Sequence, residues 1–147
     1  MKIKNTVVLR DLEYINSNLK DISSKLNGTS VLMTGCGGFL GFYMMQYLVM
    51  YARVLGIKKV IGLDNFIMEK PKWLGNLEKE YPDILTIQKF DIAKDSVNSI
   101  EGADSVDFVI HAASIASPVF YRKHPLATLD ANIWGLRELL DFYNNDS

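Results

Sequence analysis

A glycine cluster follows a short apolar run: Val31-Leu32-Met33-Thr34-Gly35-Cys36-Gly37-Gly38-Phe39-Leu40-Gly41. It leaves a strand-like segment and opens a helix-like one, and that placement gives the glycines a chemical reading. Backbone N–H groups at a helix N-terminus attract a phosphate or pyrophosphate, and the helix dipole adds to the attraction. A Cβ on the bend would block the approach, so Gly35 and Gly38 suit it. Gly41, one turn into the helix, lets helix and strand pack closely. Three readings compete. One is a dinucleotide site with G-x-x-G-x-x-G spacing at 35, 38 and 41. Another is a methyltransferase nucleotide loop beginning at Gly35-x-Gly37, although Met33-Thr34 stands where that loop wants an acidic residue. The third is a structural turn without a ligand. No Lys-Ser/Thr follows the last glycine, which excludes a P-loop.

Asp64 favours the first reading. It ends the second strand-like run, Lys59 to Asp64 (KVIGLD), 29 residues after Gly35. A carboxylate there accepts both ribose hydroxyls of an adenosine and repels a 2′-phosphate, which points to NAD rather than NADP. The first arginine downstream is Arg122, too far along the chain to form a phosphate clamp. The competing role for Asp64 is to cap its own turn.

The elements that must position these residues alternate. Ser30 to Thr34 is a near-continuously apolar strand, as in a sheet buried on both faces. The helix after the glycines stops at Gly56. Lys72 to Glu80 reads as a short helix, Leu85 to Asp91 as a third strand and Val106 to His111 as a fourth. Pro125 starts a last helix, where Leu126, Leu129, Ile133, Leu136, Leu140 and Tyr143 share one face. Ahead of the first strand, Leu12, Ile15, Leu19, Ile22 and Leu26 step by three and four. They predict an amphipathic helix from Asp11 to Leu26, ended by Asn27-Gly28 and docked on the main body rather than standing free as a coiled-coil arm. Strand-helix alternation predicts an α/β fold with a parallel sheet and right-handed crossovers.

Composition narrows the classes. The chain has 147 residues, 48% apolar and 22% charged, with a formal net charge of -1. That is an ordinary globular balance, with no charge excess to favour nucleic acid or an anionic membrane as partner. The single cysteine, Cys36, makes no internal disulfide and points to a reducing, cytoplasmic setting. The apolar core of the first ten residues is too short for a signal peptide. Phe39 to Ala52 (FLGFYMMQYLVMYA) is apolar on nearly every side but too short to span a bilayer, which takes about 20 residues. It predicts a helix packed on a buried sheet. Lys58-Lys59 and Lys70 to Lys72 read as solvated ends, the methionines as core filler, and Cys36 as a small space-filling side chain. His111 reads as a buried, hydrogen-bonded residue orienting its loop, and His124 as a surface residue.

With Thr-Gly-x-x-Gly-Phe-Leu-Gly at 34 to 41, the chain resembles the extended short-chain dehydrogenase/reductase family, the NAD-dependent epimerases and dehydratases. Asp91-Ile92 resembles the family's pair beside the adenine ring. His111-Ala112-Ala113-Ser114 resembles its loop under the nicotinamide ribose. Asn132, Gly135 and Leu139-Leu140 resemble its N-x-x-G-x-x-x-L-L helix. The stretch Ala113-Ser114-Ile115-Ala116-Ser117-Pro118, with Tyr121 and Pro125, is most similar to UDP-glucuronate decarboxylases, with nucleotide-sugar 4,6-dehydratases and 4-epimerases close behind. The resemblance implies a Rossmann-like doubly wound sheet over residues 29–147, incomplete after its fourth strand and following helix, with residues 1–28 as a helical extension. It assigns NAD to Gly35, Gly38, Phe39, Leu40, Gly41, Asp64, Asn65, Asp91, Ile92, His111, Ala112, Ala113 and Ser114. The implied reaction oxidises the sugar C4 hydroxyl, releases CO2 from the resulting β-keto acid and reduces the ketone again.

The family's catalytic Tyr-x-x-x-Lys pair has no match here. None of the tyrosines, at 14, 43, 47, 51, 81, 121 and 143, has a lysine four residues on. The expectation is an N-terminal portion that binds NAD without turning over a nucleotide sugar by itself. Beyond the glycine turn and Asp64 reading, two class alternatives stay open: a non-catalytic nucleotide-binding or sensor module, and an S-adenosylmethionine-dependent methyltransferase. The resemblance also implies a homodimer through the last helix, where Trp134 and Phe142 are candidate contacts. An uncovered edge at the fourth strand invites pairing with a second copy.

Overall fold

Four short strands, all parallel, carry the molecule, described over residues 6–144 in a computed structural model. They are β1 (Ser30–Thr34), β2 (Lys59–Asp64), β3 (Leu85–Lys89) and β4 (Phe108–His111), in spatial order β3-β2-β1-β4. Ser30 pairs with Lys59 on one side of β1, and Val31 with Phe108 on the other. The chain therefore winds outward from β1 in one direction to β3, then crosses back to place β4 on the opposite flank. That reversal is the topological switch of a doubly wound sheet, and its crevice lies at the strands' C-terminal ends.

Both sheet faces are covered, which explains the apolar runs. Val31, Met33 and Val60 face one core, with Met45, Leu48 and Val49 of α3 (Phe39–Met50) and Leu74 and Leu77 of α5 (Lys72–Glu80). Leu32, Ile61 and Leu63 face the other, with Val97, Ile100, Ala131 and Leu139. The short helix α4 (Ala52–Leu55) ends at Gly56 in the left-handed conformation.

Helix α3 is apolar all round, so one cover is not enough for it. Its second cover is the N-terminal segment. This begins earlier than the periodicity predicts and is broken rather than continuous: α1 (Thr6–Asn18), α2 (Lys20–Ser23) and a 3₁₀ turn at Ser24–Leu26. Val8 and Leu12 are buried against the α3 core, and Ile15 and Leu19 pack beside them. Tyr43 Oη donates to Asp11 Oδ2 at 2.9 Å across the contact. The docked reading of this segment holds. Gln46, the one polar side chain in the middle of α3, is buried and donates back to the Phe42 carbonyl at 2.8 Å. Among the described residues no helix is long and apolar enough to cross a membrane.

Three expectations need correction. β3 and β4 are each two residues shorter than predicted, with Phe90-Asp91 after β3 and Val106-Asp107 before β4 outside the ladder. A short helix, α6 (Pro118–Lys123), precedes the last one. The last helix is itself interrupted: α7 (Pro125–Leu129), a π turn (Asp130–Trp134) and α8 (Gly135–Tyr143). The stripe of Leu126, Leu129, Ile133 and Leu140 lies on the exposed side. The buried side carries Ala131, Gly135 and Leu139. A Cβ on Gly135 would come within 2.5 Å of Ile92 Cγ1, so it is small size that lets this helix approach the sheet's cover.

Candidate dinucleotide site

The β1–α3 turn stands at the switch point, and each glycine in it has a distinct physical reason. Gly35 has φ +70°, and a Cβ there would lie 2.6 Å from the Ala112 carbonyl oxygen at the end of β4. Its bare Cα serves the left-handed bend and the β1–β4 contact. A Cβ on Gly41 would collide with the backbone of Cys36, at 2.6 Å from the carbonyl carbon. Gly41 therefore lets the turn at the end of β1 fold closely onto the helix. The exposed wall of the turn belongs to Gly37 and Gly38. A Cβ on Gly37 would meet Asp64 Oδ2, Pro71 and Phe66 at 3.2–3.4 Å.

Helix α3 starts without a side-chain cap at Gly38. Among the described residues, the N–H groups of Phe39, Leu40 and Gly41 have no protein acceptor. Phe39 and Leu40 stand in solvent, at 89% and 62% exposure. Free donors at a helix start, beside a bend without side chains, form a receptor for an anion. Cys36 points the other way. It is fully buried beside Gly62, and burial, with the Asp64 charge adding to it, pushes its thiol up to about 12. It fills space, as its size predicts, and a reactive low-pKa role is excluded.

Asp64, at the C-terminal end of β2, is turned toward this bend. Its Oδ2 accepts from Gly37 N at 2.9 Å and its Oδ1 from Phe66 N at 2.8 Å. A carboxylate has about four lone-pair positions, so each oxygen keeps capacity for a further donor. Asn65 Oδ1 accepts from Ile67 N at 3.1 Å and shapes the loop after β2.

The neighbouring strand ends are tied together by a residue the motif reading did not single out. Thr34 Oγ1 accepts from Ala112 N and Ala113 N, both at 3.2 Å, and lies 2.9 Å from His111 Nδ1. With both lone pairs engaged, the hydroxyl donates to Nδ1, and the neutral imidazole carries its proton on Nε2. Protonation at Nδ1 would break that arrangement. Burial also lowers the His111 pKa from 6.5, with a smaller opposing pull from the Ala131 carbonyl. Nε2 is buried and has no partner within hydrogen-bond geometry. His111 thus orients its loop, as expected. The unfolded state takes up this proton near pH 6.5 and the folded state only at lower pH. Stability is accordingly full above about 6.5 and declines as pH falls through the lower folded value. Urea midpoints measured near pH 7.5 and pH 5.5 should drop for the wild type and drop less for His111→Gln.

The remaining predicted residues are less directly placed. Asp91 receives Ala93 N at 3.2 Å and the Lys94 ammonium at 2.8 Å, so it caps its own loop. Ile92 sends its side chain into the core beneath Gly135, which leaves only its backbone for any ligand. Ser114 Oγ accepts from Asn132 Nδ2 at 3.0 Å, linking the loop after β4 to the π turn. Tyr121 and His124 lie on the exposed α6 end. Lys70, read from sequence as a solvated end, is instead paired with Glu78 at 2.6 Å. Two shallow hollows elsewhere lie toward the strands' N-terminal ends. One is lined by Asp107, Val109 and Phe142, the other by Arg53, Tyr81 and Pro82. Ligands of open α/β sheets bind at the opposite ends. No group of acidic, histidine or cysteine side chains among the described residues is arranged to hold a metal.

Comparison with known proteins agrees with this geometry. The model of the NAD dependent epimerase/dehydratase family matches residues 31–146. UDP-glucuronic acid decarboxylase 6 of Arabidopsis thaliana is 25% identical over 136 residues, covering 90% of this chain and 32% of the relative. The structure of an epimerase from Methanothermobacter thermautotrophicus superposes with a TM-score of 0.64 at 26% identity, over 84% of this chain and 34% of that one. UDP-glucose-4-epimerase from Stenotrophomonas maltophila, with bound NAD and formylated UDP-arabinopyranose, shares the fold. Its TM-score is 0.61 at 21% identity, over 79% and 33% of the two chains. The chain spans about a third of the length of these relatives.

Proposed function

From the chain's membership of the NAD dependent epimerase/dehydratase family, we propose that residues 29–147 are the NAD-binding portion of a nucleotide-sugar-modifying enzyme, residues 1–28 being its helical extension. The observation that carries this reading is the meeting at Gly37. The bend beside the uncapped start of α3 and the Asp64 carboxylate are joined there by one 2.9 Å hydrogen bond. A diphosphate would rest on the N–H groups of Phe39, Leu40 and Gly41. Asp64 would accept the adenosine ribose hydroxyls through its remaining lone pairs, with Asn65 and Phe66 framing the sugar. The Asp91-Ile92 backbone would border the adenine. The Ala112-Ala113-Ser114 loop, held by Thr34 and His111, would support the nicotinamide half.

When bound, NAD supplies hydride abstraction from, and return to, a sugar carbon. The chain's own residues orient it and hold its charge. The favoured whole reaction is UDP-glucuronate decarboxylation, supported by the 113–118 stretch and by the plant relatives. Nucleotide-sugar 4-epimerases and 4,6-dehydratases begin with the same oxidation, so this half-site serves all three.

Calorimetric titration tests the reading. NAD is expected to bind, and to bind more tightly than NADP. Binding of S-adenosylmethionine without NAD, or tighter binding of NADP, would overturn it.

A further inference from the structure

The loop from Asn65 to Pro71 carries one cation, Lys70. Its backbone is closely held: Phe66 and Glu69 both have positive φ, 52° and 70°, and Glu69 N donates to the Phe66 carbonyl. Lys70 directly precedes Pro71 in the chain, and Pro71 and Phe66 are the two residues that wall Gly37 on the Asp64 side. Its ammonium lies 6.0 Å from the Phe66 ring centre. A free ammonium in this position would offset the Asp64 charge and receive a phosphate on the ribose. It is not free, because Glu78 Oε2 holds it at 2.6 Å. Glu78 is itself anchored, its Oε1 accepting from Ile87 N of β3 at 3.0 Å. Both partners are about one-third exposed, so the pair is only partly screened by solvent.

We propose that Glu78 is a specificity-determining residue, which enforces the choice of NAD over NADP by withholding the Lys70 ammonium from the ribose 2′ position. The inference rests on the dinucleotide reading above and assigns part of its selectivity to a residue on α5, outside the glycine turn. Asp64 repels a 2′-phosphate directly, and Glu78 removes the cation that would cancel that repulsion.

The test is titration of the purified protein with NAD and NADP at low salt, with a thermal melt of each variant. Glu78→Gln keeps an oxygen acceptor for Ile87 N and loses the charge. It should tighten NADP about tenfold while changing NAD less than about twofold. The gain should disappear when Lys70→Met is added. Lys70→Met alone, which leaves the β3 anchor untouched, should not alter NADP affinity, because the ammonium is already engaged. An unchanged NADP-to-NAD ratio in Glu78→Gln overturns the proposal. So does a gain that survives in the double variant, or weaker NADP binding in Lys70→Met alone. Wild-type protein that binds NAD in those cases leaves the dinucleotide reading standing, whereas wild-type protein that binds neither dinucleotide overturns both.

Discussion

Gly35→Ala is expected to lower the unfolding free energy by about 3 kcal/mol. Placing an L-residue in the left-handed region costs about 1–2 kcal/mol. Forcing a methyl into filled space costs about 1–3 more. Gly35 incurs both, since its φ is +70° and the Ala112 carbonyl oxygen occupies the place of a Cβ. In a chain of this size the loss corresponds to roughly 10 °C in melting temperature. Gly28→Ala provides the internal comparison. Gly28 has φ +77° with nothing within 4 Å of its Cβ position, so only the backbone term of about 1 kcal/mol applies. Thermal melts of the two variants side by side separate the terms. Equal losses would mean that β1 and β4 do not approach closely at Ala112.

Asp64→Ala should weaken NAD binding about 100-fold, the loss expected when hydrogen bonds to a charged acceptor are removed. It should also loosen the turn, because Gly37 N and Phe66 N lose their acceptor. Calorimetry reads the first effect and a melt reads the second. If the melt falls while NAD affinity holds, Asp64 serves only as the cap of its loop, and the dinucleotide reading loses its sugar contact.

Much of the fold could be read from residue order. β1, β2 and α5 appear with the predicted bounds, because glycines or prolines punctuate them and their apolar residues point to filled cores. The last helix shows what the pattern alone leaves open. Periodicity marks the stripe with the largest apolar side chains, yet the contact is made by Ala131, Gly135 and Leu139. Close backbone approach over Ile92 rewards small residues, which carry little hydrophobic signal. The helix α6 was missed because six residues are too few to show a period. At the candidate site, Asp64, His111 and the glycines were visible as types at strand ends. Thr34 and the Lys70–Glu78 pair were not. A threonine inside an apolar strand looks like filler, and two charges eight residues apart meet only once the loop after β2 is folded.

The strand order also sets a timetable for assembly. β1 meets β2 across a separation of 29 residues, from Ser30 to Lys59, but meets β4 across 77, from Val31 to Phe108. Closing the longer loop costs more entropy, and parallel pairings at long range form slowly. Zipping is therefore expected to begin among β1, α3 and β2, which precede β4 in the chain, and β4 to dock last. The Ser30–Asp107 and Thr34–His111 bonds at its two ends are latches that close only at that final step.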